Sequence, residues 1–184
     1  GRIGVQSLSC GIDLCASELL SIQRSEHEGV IDRSFTIAIN LHDDPIQTEF
    51  GDKGEFYLPA DAGAVVAAGD AVRMASQIEA GARTKSLLLR VNPDRFADDA
   101  IAEEIYRILA STDVINIKLC ARSKYIAREI ADPSINGAIG RILTESAALE
   151  LLARTLISSV GISWDHSVGL KRSDFIKLKN VRDL

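Results

Sequence analysis

The chain is poor in the residues that most often carry chemistry. Cysteine occurs three times, as Cys10, Cys15 and Cys120, an odd number without the paired spacing of a zinc site or a disulfide framework, so free thiols are expected. Histidine is equally sparse: His27, His42 and His166 are scattered, with no His-x-His pair and no glutamate at a metal-binding interval. They read as solvent-facing or turn histidines, and neither a metal nor another cofactor is expected. His42-Asp43-Asp44 ahead of Pro45 reads as a solvated turn in preference to a hard-cation site. No serine or cysteine stands in a nucleophile elbow or beside a base, so an enzyme mechanism finds no foothold. GVQSLSCG and GDKG bear glycines but lack the strand-glycine-helix order of a phosphate loop and read as turns.

A surplus of positive charge is missing as well. Lys and Arg total 21 against 26 Asp and Glu, a net charge of -5, which argues against a surface built to hold a nucleic-acid backbone. No apolar run approaches the roughly 20 residues that span a bilayer, and no charged leader precedes a short apolar segment. The expectation is a cytoplasmic chain with no membrane partner. What the chain does have is 184 residues at 46% hydrophobic composition, enough for a core in one domain, with or without an appendage.

The first half carries short alternating segments between glycine-bearing turns. Ile3 and Val5 alternate, then Ile12, Leu14 and Ala16 beyond Gly11. In RSFTIAINL, Phe35, Ile37, Ile39 and Leu41 share one side while Thr36, Ala38 and Asn40 share the other, the pattern of a half-buried strand. Ile46, Thr48 and Phe50 alternate again, and Gly51-Asp52-Lys53-Gly54 turns the chain into EFYLP. GAVVAA, DAVRMAS and SLLLRV complete about seven or eight short strands. With no helical period between them, they predict an antiparallel barrel or sandwich over residues 1–92. In the mouth of such a barrel, an apolar lining with a few polar groups can hold a small ligand. The candidates are Phe35, Tyr57, Arg73, Met74 and Trp164, the only tryptophan, with core packing the plain alternative for the apolar ones and a surface role for Arg73.

Pro93 cannot continue a central strand, and from there the period becomes helical through Phe96, Ile101, Ile105, Ile108 and Leu109. VINIKL then alternates like a strand, whereas CARSKYIAREIA gathers Tyr125, Ile126 and Ile130 on one helical side. The dominant element is a long amphipathic helix predicted from Asp132 to Val160. Ile135, Ile142, Leu149 and Leu156 recur every seven residues along it, Asp132 caps it, and Pro133 suits its first position. Leu151 and Ile157 add apolar surface beside that stripe, so two contact surfaces are expected: the chain's own domain and a second protomer. Leu149, Leu152 and Leu156 are placed at or just beneath that dimer interface. Beyond Gly161 and Gly169, RSDFIKLKNVRDL starts another amphipathic helix, and the chain stops inside it as a truncated one would. Its basic residues Lys171, Arg172, Lys177, Lys179 and Arg182 read as a solvated face or hinge surface.

IEAGARTKSLLLRVNPDRF, GRILTESAALELLARTL and SDFIKLKNVRDL, in that order, resemble the N-terminal half of AraC-type transcription regulators, and most of all the siderophore-responsive, pyochelin-regulator-like branch. The resemblance implies an α+β chain: a cupin-like antiparallel β-barrel at 1–92 that senses a small-molecule effector, then a helical dimerisation segment at 93–172. Residues 173–184 would begin a connector to a DNA-binding domain absent from this chain. Leu149, Glu150, Leu151, Leu152 and Ala153 fall in the family's ALELLA helix. The implied function is the sensing and dimerisation domain of a homodimeric regulator, its ligand an iron-siderophore, with DNA contacted only through a missing helix-turn-helix domain. A stand-alone cupin-type enzyme and an interaction module without a ligand are the alternatives.

Overall fold

A computed structural model of the chain describes residues 1–96 and 98–159, with the backbone alone at Ser159. The first half supplies nine strands: β1 (Arg2–Ser7), β2 (Ile12–Leu20), β3 (Ser25–Ile31), β4 (Ser34–Asn40), β5 (Ile46–Phe50), β6 (Glu55–Leu58), β7 (Gly63–Ala68), β8 (Val72–Ile78) and β9 (Arg83–Val91). A one-turn 3-10 helix at Pro93–Arg95 follows, then α1 (Asp99–Ile108), β10 (Asp113–Ile117), α2 (Ala121–Ala131) and α3 (Gly137–Ser159). The VINIKL alternation is thus a strand, and residues 93–159 are not helical throughout.

The strands form two antiparallel sheets, one in the order β1-β2-β9-β4-β7-β10 and one in the order β3-β8-β5-β6. They do not close into a barrel, which corrects the barrel expectation while leaving an α+β arrangement of antiparallel strands and helices. The reason lies in where the apolar side of β4 goes. Phe35, Ile37 and Ile39 share one core cluster with Leu14, Val65, Leu87 and Leu89 of the neighbouring strands and with Ile105, Ile126, Leu151 and Leu152 of the three helices. The principal core therefore lies between the six-stranded sheet and the helices. Alternation shows that a strand is half-buried, but not which layer buries it.

The other side of β4 faces the smaller sheet. Buried Asn40, on the same side as Thr36 and Ala38, donates to the carbonyls of Asp44 (2.8 Å), Leu58 (3.3 Å) and Pro59 (3.1 Å). Its Oδ1 accepts from the His42 amide at 3.0 Å. Both amide hydrogens and the amide oxygen are thereby engaged, which fixes the end of β6 over β4.

The long helix departs from expectation at both its start and its facing. Asp132 ends α2, its amide donating to the Arg128 carbonyl at 3.0 Å, and α3 begins at Gly137. Gly137 has φ +79, a left-handed conformation that interrupts any right-handed helix running on from Asp132. The linker then folds back so closely that a Cβ on Gly140 would lie 2.1 Å from the Ile135 carbonyl oxygen. Along α3, Ala148, Leu151, Leu152, Thr155 and Leu156 are buried against the domain. Opposite them Ile139 (67% exposed), Ile142 (65%), Leu143, Leu149 and Ile157 stand in solvent. The seven-residue stripe through Ile142 and Leu149 is thus largely the outward face, and only Leu156 of it turns in.

Leu151 is fully buried, so it is not the surplus surface that the sequence pattern suggested, and its contacts belong to the core. Replacing it by alanine should cost about 2–5 kcal/mol, from lost transfer energy plus the cavity left behind. Denaturant titration checks this, and an unchanged midpoint for Leu151→Ala would contradict the placement. Leu151→Asp should unfold the domain, not merely separate protomers.

Candidate functional site

Strand alternation divides the residues around the two sheets into three surfaces, and only one of them is an inter-sheet space. On the six-stranded side it is lined by Ser34, Thr36 and Ala38 of β4, Val66 of β7, and Leu88 and Arg90 of β9, the positions between the core residues. Buried Phe50 and Leu58 mark the inward side of the smaller sheet. Met74 pairs with Phe50, and Thr48 lies between Phe56 and Ser76 in the register. Ser34, Ala64 and Ala68 are buried, whereas Thr36, Ala38 and Val66 are half-buried and Leu88 is 37% exposed. The smaller sheet therefore covers β4 and β7 and leaves the space open over Leu88 and Arg90 of β9. Small side chains, alanine and serine, keep this side of the larger sheet shallow.

The sequence-chosen ligand residues do not come together. Phe35 lies on the helix side, in the core. Tyr57, paired with Gln47, and Arg73, paired with Val30, lie on the outer side of the smaller sheet, where the Arg73 guanidinium is held 2.8 Å from Glu28. Met74 alone faces the inter-sheet space. Trp164 lies outside the described residues. The alternation in β4 puts Thr36 and Ala38 opposite Phe35, Ile37 and Ile39, whereas Leu88, flanked by Leu87 and Leu89, carries no signal in the sequence that sets it apart from the core.

Polar groups inside the space have unused capacity. The Ser34 hydroxyl and Asp13 Oδ1 are buried without hydrogen-bond partners. Asp13 and Arg90 are paired across β2 and β9, and the cation nearest Asp13 Oδ1 is Arg95 at 3.9 Å. Among the described residues, no group of three or more His, Cys, Asp or Glu side chains gathers as a metal site.

On the helix side, a cleft of about 440 Å³ opens between the β1-β2-β9 edge and the α2–α3 linker, lined by Gly4, Ala16, Ser17, Glu18, Pro133 and Asn136 among others. Asp132 closes it, with Oδ1 2.6 Å from Arg2 Nη2 and Oδ2 2.5 Å from Lys85 Nζ. The Lys85 hydrogen bond, aided by Arg2, holds the Asp132 carboxyl below the usual carboxylate range. Its contribution to stability is present above the unfolded pKa and is lost as pH falls through the folded one. Further along, Glu150 is clasped by Arg122 (2.7 Å) and Arg154 (2.8 Å), which draw its pKa down to about 2 and join α2 to α3.

Cys120 caps α2. Its Sγ lies 3.2 Å from the Ser123 hydroxyl, accepts from the Ser123 amide at 3.4 Å and stands 4.0 Å from Arg154 Nη1. Chiefly because of the Ser123 hydroxyl, the thiol pKa falls to about 7. Cys10 goes the other way, raised first by burial.

Residues 1–161 match the family described as the regulatory protein PchR N-terminal domain. The AraC-like transcriptional activator CuxR superposes with a TM-score of 0.52 at 13% identity, over 85% of this chain and 54% of that one. ToxT from Vibrio cholerae gives 0.43 at 8% identity, over 79% of this chain and 58% of that one. A cupin domain from Bordetella pertussis Tohama I gives 0.37 at 8% identity, over 50% and 92%. CuxR alone of these three is close enough to speak for the fold, and the match spans about half its length. No curated protein matches the chain by sequence.

The two cysteine environments separate their reactivities. Iodoacetamide labelling of Cys120, followed by mass spectrometry across pH, should rise about a midpoint near 7, well before Cys10. Ser123→Ala should move that midpoint upward, because it removes the largest stabiliser of the thiolate. An unmoved midpoint would discount the Ser123 contact.

Proposed function

The chain belongs to the PchR N-terminal regulatory domain family, and on that premise we propose that it is the effector-sensing and dimerising part of a longer transcription regulator. The observation that carries this reading is the placement of two unsatisfied surfaces on opposite sides of one core. The inter-sheet space, open over β9, lies on one side of the six-stranded sheet. The apolar face of α3 formed by Ile139, Ile142, Leu143, Leu149 and Ile157 lies beyond the helices on the other.

An effector in the first surface changes a partner's fit at the second only through its differential affinity for two arrangements of the domain. The connecting material is present: the shared core cluster links β4 and β9 to Leu151 and Leu152 of α3. The effector class to test first is the ferric siderophores, on the family relationship. DNA would be read by a helix-turn-helix part outside the described residues, and the domain itself would perform no chemical step.

Within the dimer reading, Leu151, Leu152 and Leu156 belong to the inner side of α3 and act by holding it, while Leu149 and Ile157 lie on the outer side. Ile139, Ile142 and Leu143, which the sequence pattern did not single out for dimerisation, contribute to the same exposed side.

Calorimetric titration with a panel of ferric siderophores should give saturable binding for at least one member. Ala38→Trp, which fills the inter-sheet space, should abolish it, while Tyr57→Ala and Arg73→Gln leave it intact. A panel without binding, or binding indifferent to Ala38→Trp, would count against the site. Sedimentation should show a dimer that Ile142→Glu or Ile157→Glu converts to a monomer with an unchanged melting temperature. A wild-type monomer at high concentration would remove the dimer from the reading.

A further inference from the structure

We propose that the effector is an organic acid whose anionic group docks on Arg90 at the open end of the inter-sheet space; this rests on that space being the effector site. Arg90 lies on β9 between Leu89 and Val91, which are buried on the helix side, so its side chain leaves the opposite side of the sheet. In the register it stands between Asp13 of β2 and Thr36 of β4. Among the described residues, neither a hydrogen bond nor an ion pair engages its guanidinium, which is exposed.

The neighbouring groups point the same way. Asp13 does not neutralise Arg90: its Oδ1 accepts no hydrogen bond, and the cation it approaches is Arg95, at 3.9 Å. Two guanidiniums against one carboxylate leave a net positive charge at this end. Ser34, only 3% exposed, carries a hydroxyl with no partner on the same side of β4 as Thr36. A buried donor without an acceptor is costly and unusual. Thr36, across from Arg90, offers a further hydroxyl.

Charge logic then selects the ligand. An arginine cannot shed its proton, so a ligand that covers Arg90 must replace the water it displaces. A neutral effector would strand the cation; a carboxylate can take two parallel hydrogen bonds from it. Next to it on the same side, Leu88, with Cys15 and Ala38 beside it in the register, offers an apolar floor for the body of the molecule. The geometry calls for a flat apolar body carrying an acid. Arg73, the cation that the sequence pattern favoured, lies on the outer side of the smaller sheet and is occupied by Glu28.

The test uses benzoate and its neutral counterpart benzamide as probes, with backbone amide resonances of β2, β4 and β9 as the readout in the whole chain. Benzoate should titrate these resonances saturably, with half-saturation about tenfold lower than benzamide, the order expected of one charge-assisted pair. Arg90→Gln should erase that preference. Ser34→Ala should weaken benzoate more than benzamide, and Arg73→Gln should change neither. Arg90 is exposed, so its replacement leaves the core intact; Arg90→Lys, which keeps the charge, should retain part of the preference. Equal titration by both probes would overturn the acid assignment and leave the site standing. Failure of both probes to move these resonances would overturn the site as well.

Discussion

The burial of Phe35, Ile37 and Ile39 against the helices is the contact on which the other features depend. Because β4 lies between β9 and β7 in the larger sheet, this row continues sideways through Leu87, Leu89 and Val65 into one apolar layer. Ile105, Ile126, Leu151 and Leu152 close that layer from above. Area removed from water is concentrated there, and α2 and α3 take their orientation from it. Arg122, Glu150 and Arg154 then join the two helices, while Asp132 ties their junction to Lys85 and Arg2 on the sheet.

Placing the main core on that side relieves the opposite side of the sheet of most packing duty. Small and polar residues, Ser34, Thr36, Ala38 and Ala64, are tolerated there because the smaller sheet is held by the hydrogen bonds of the Asn40 amide as well as by apolar contact. A sandwich stabilised from one side can leave the other partly open. The same economy applies to α3. Its inner side satisfies the domain, so the exposed apolar residues Ile139, Ile142 and Leu143 of its outer side are not needed for folding.

Much of the fold was legible from residue order. The alternation in RSFTIAINL, the GDKG turn and the helical spacing of Ile101, Ile105 and Ile108 mark elements that the structure contains. The site was less legible. Of the residues that size and charge single out, Met74 lies on the inner side of the smaller sheet and Phe35, Tyr57 and Arg73 do not, because these traits do not distinguish the helix side, the inner side and the outer side of two stacked sheets. Arg90 was invisible for the same reason: a cation between leucine and valine has the same local pattern whether it meets bulk water or a ligand space.

The sequence by itself determined the strand-rich first half, the two-sided character of β4 and the apolar surface along the last described helix, because each is set by spacing within a few residues; the exposed strand β3 has no apolar alternation to mark it. Only the tertiary structure decided which side of each element was covered. It turned Leu151 inward and Ile142 outward, moved the start of α3 from Asp132 to Gly137, and made Asp132 the end of α2 and a tie to Lys85 instead of the N-cap of the long helix. These outcomes depend on chain segments far apart in sequence, whose packing competes with local preference and here outweighs it.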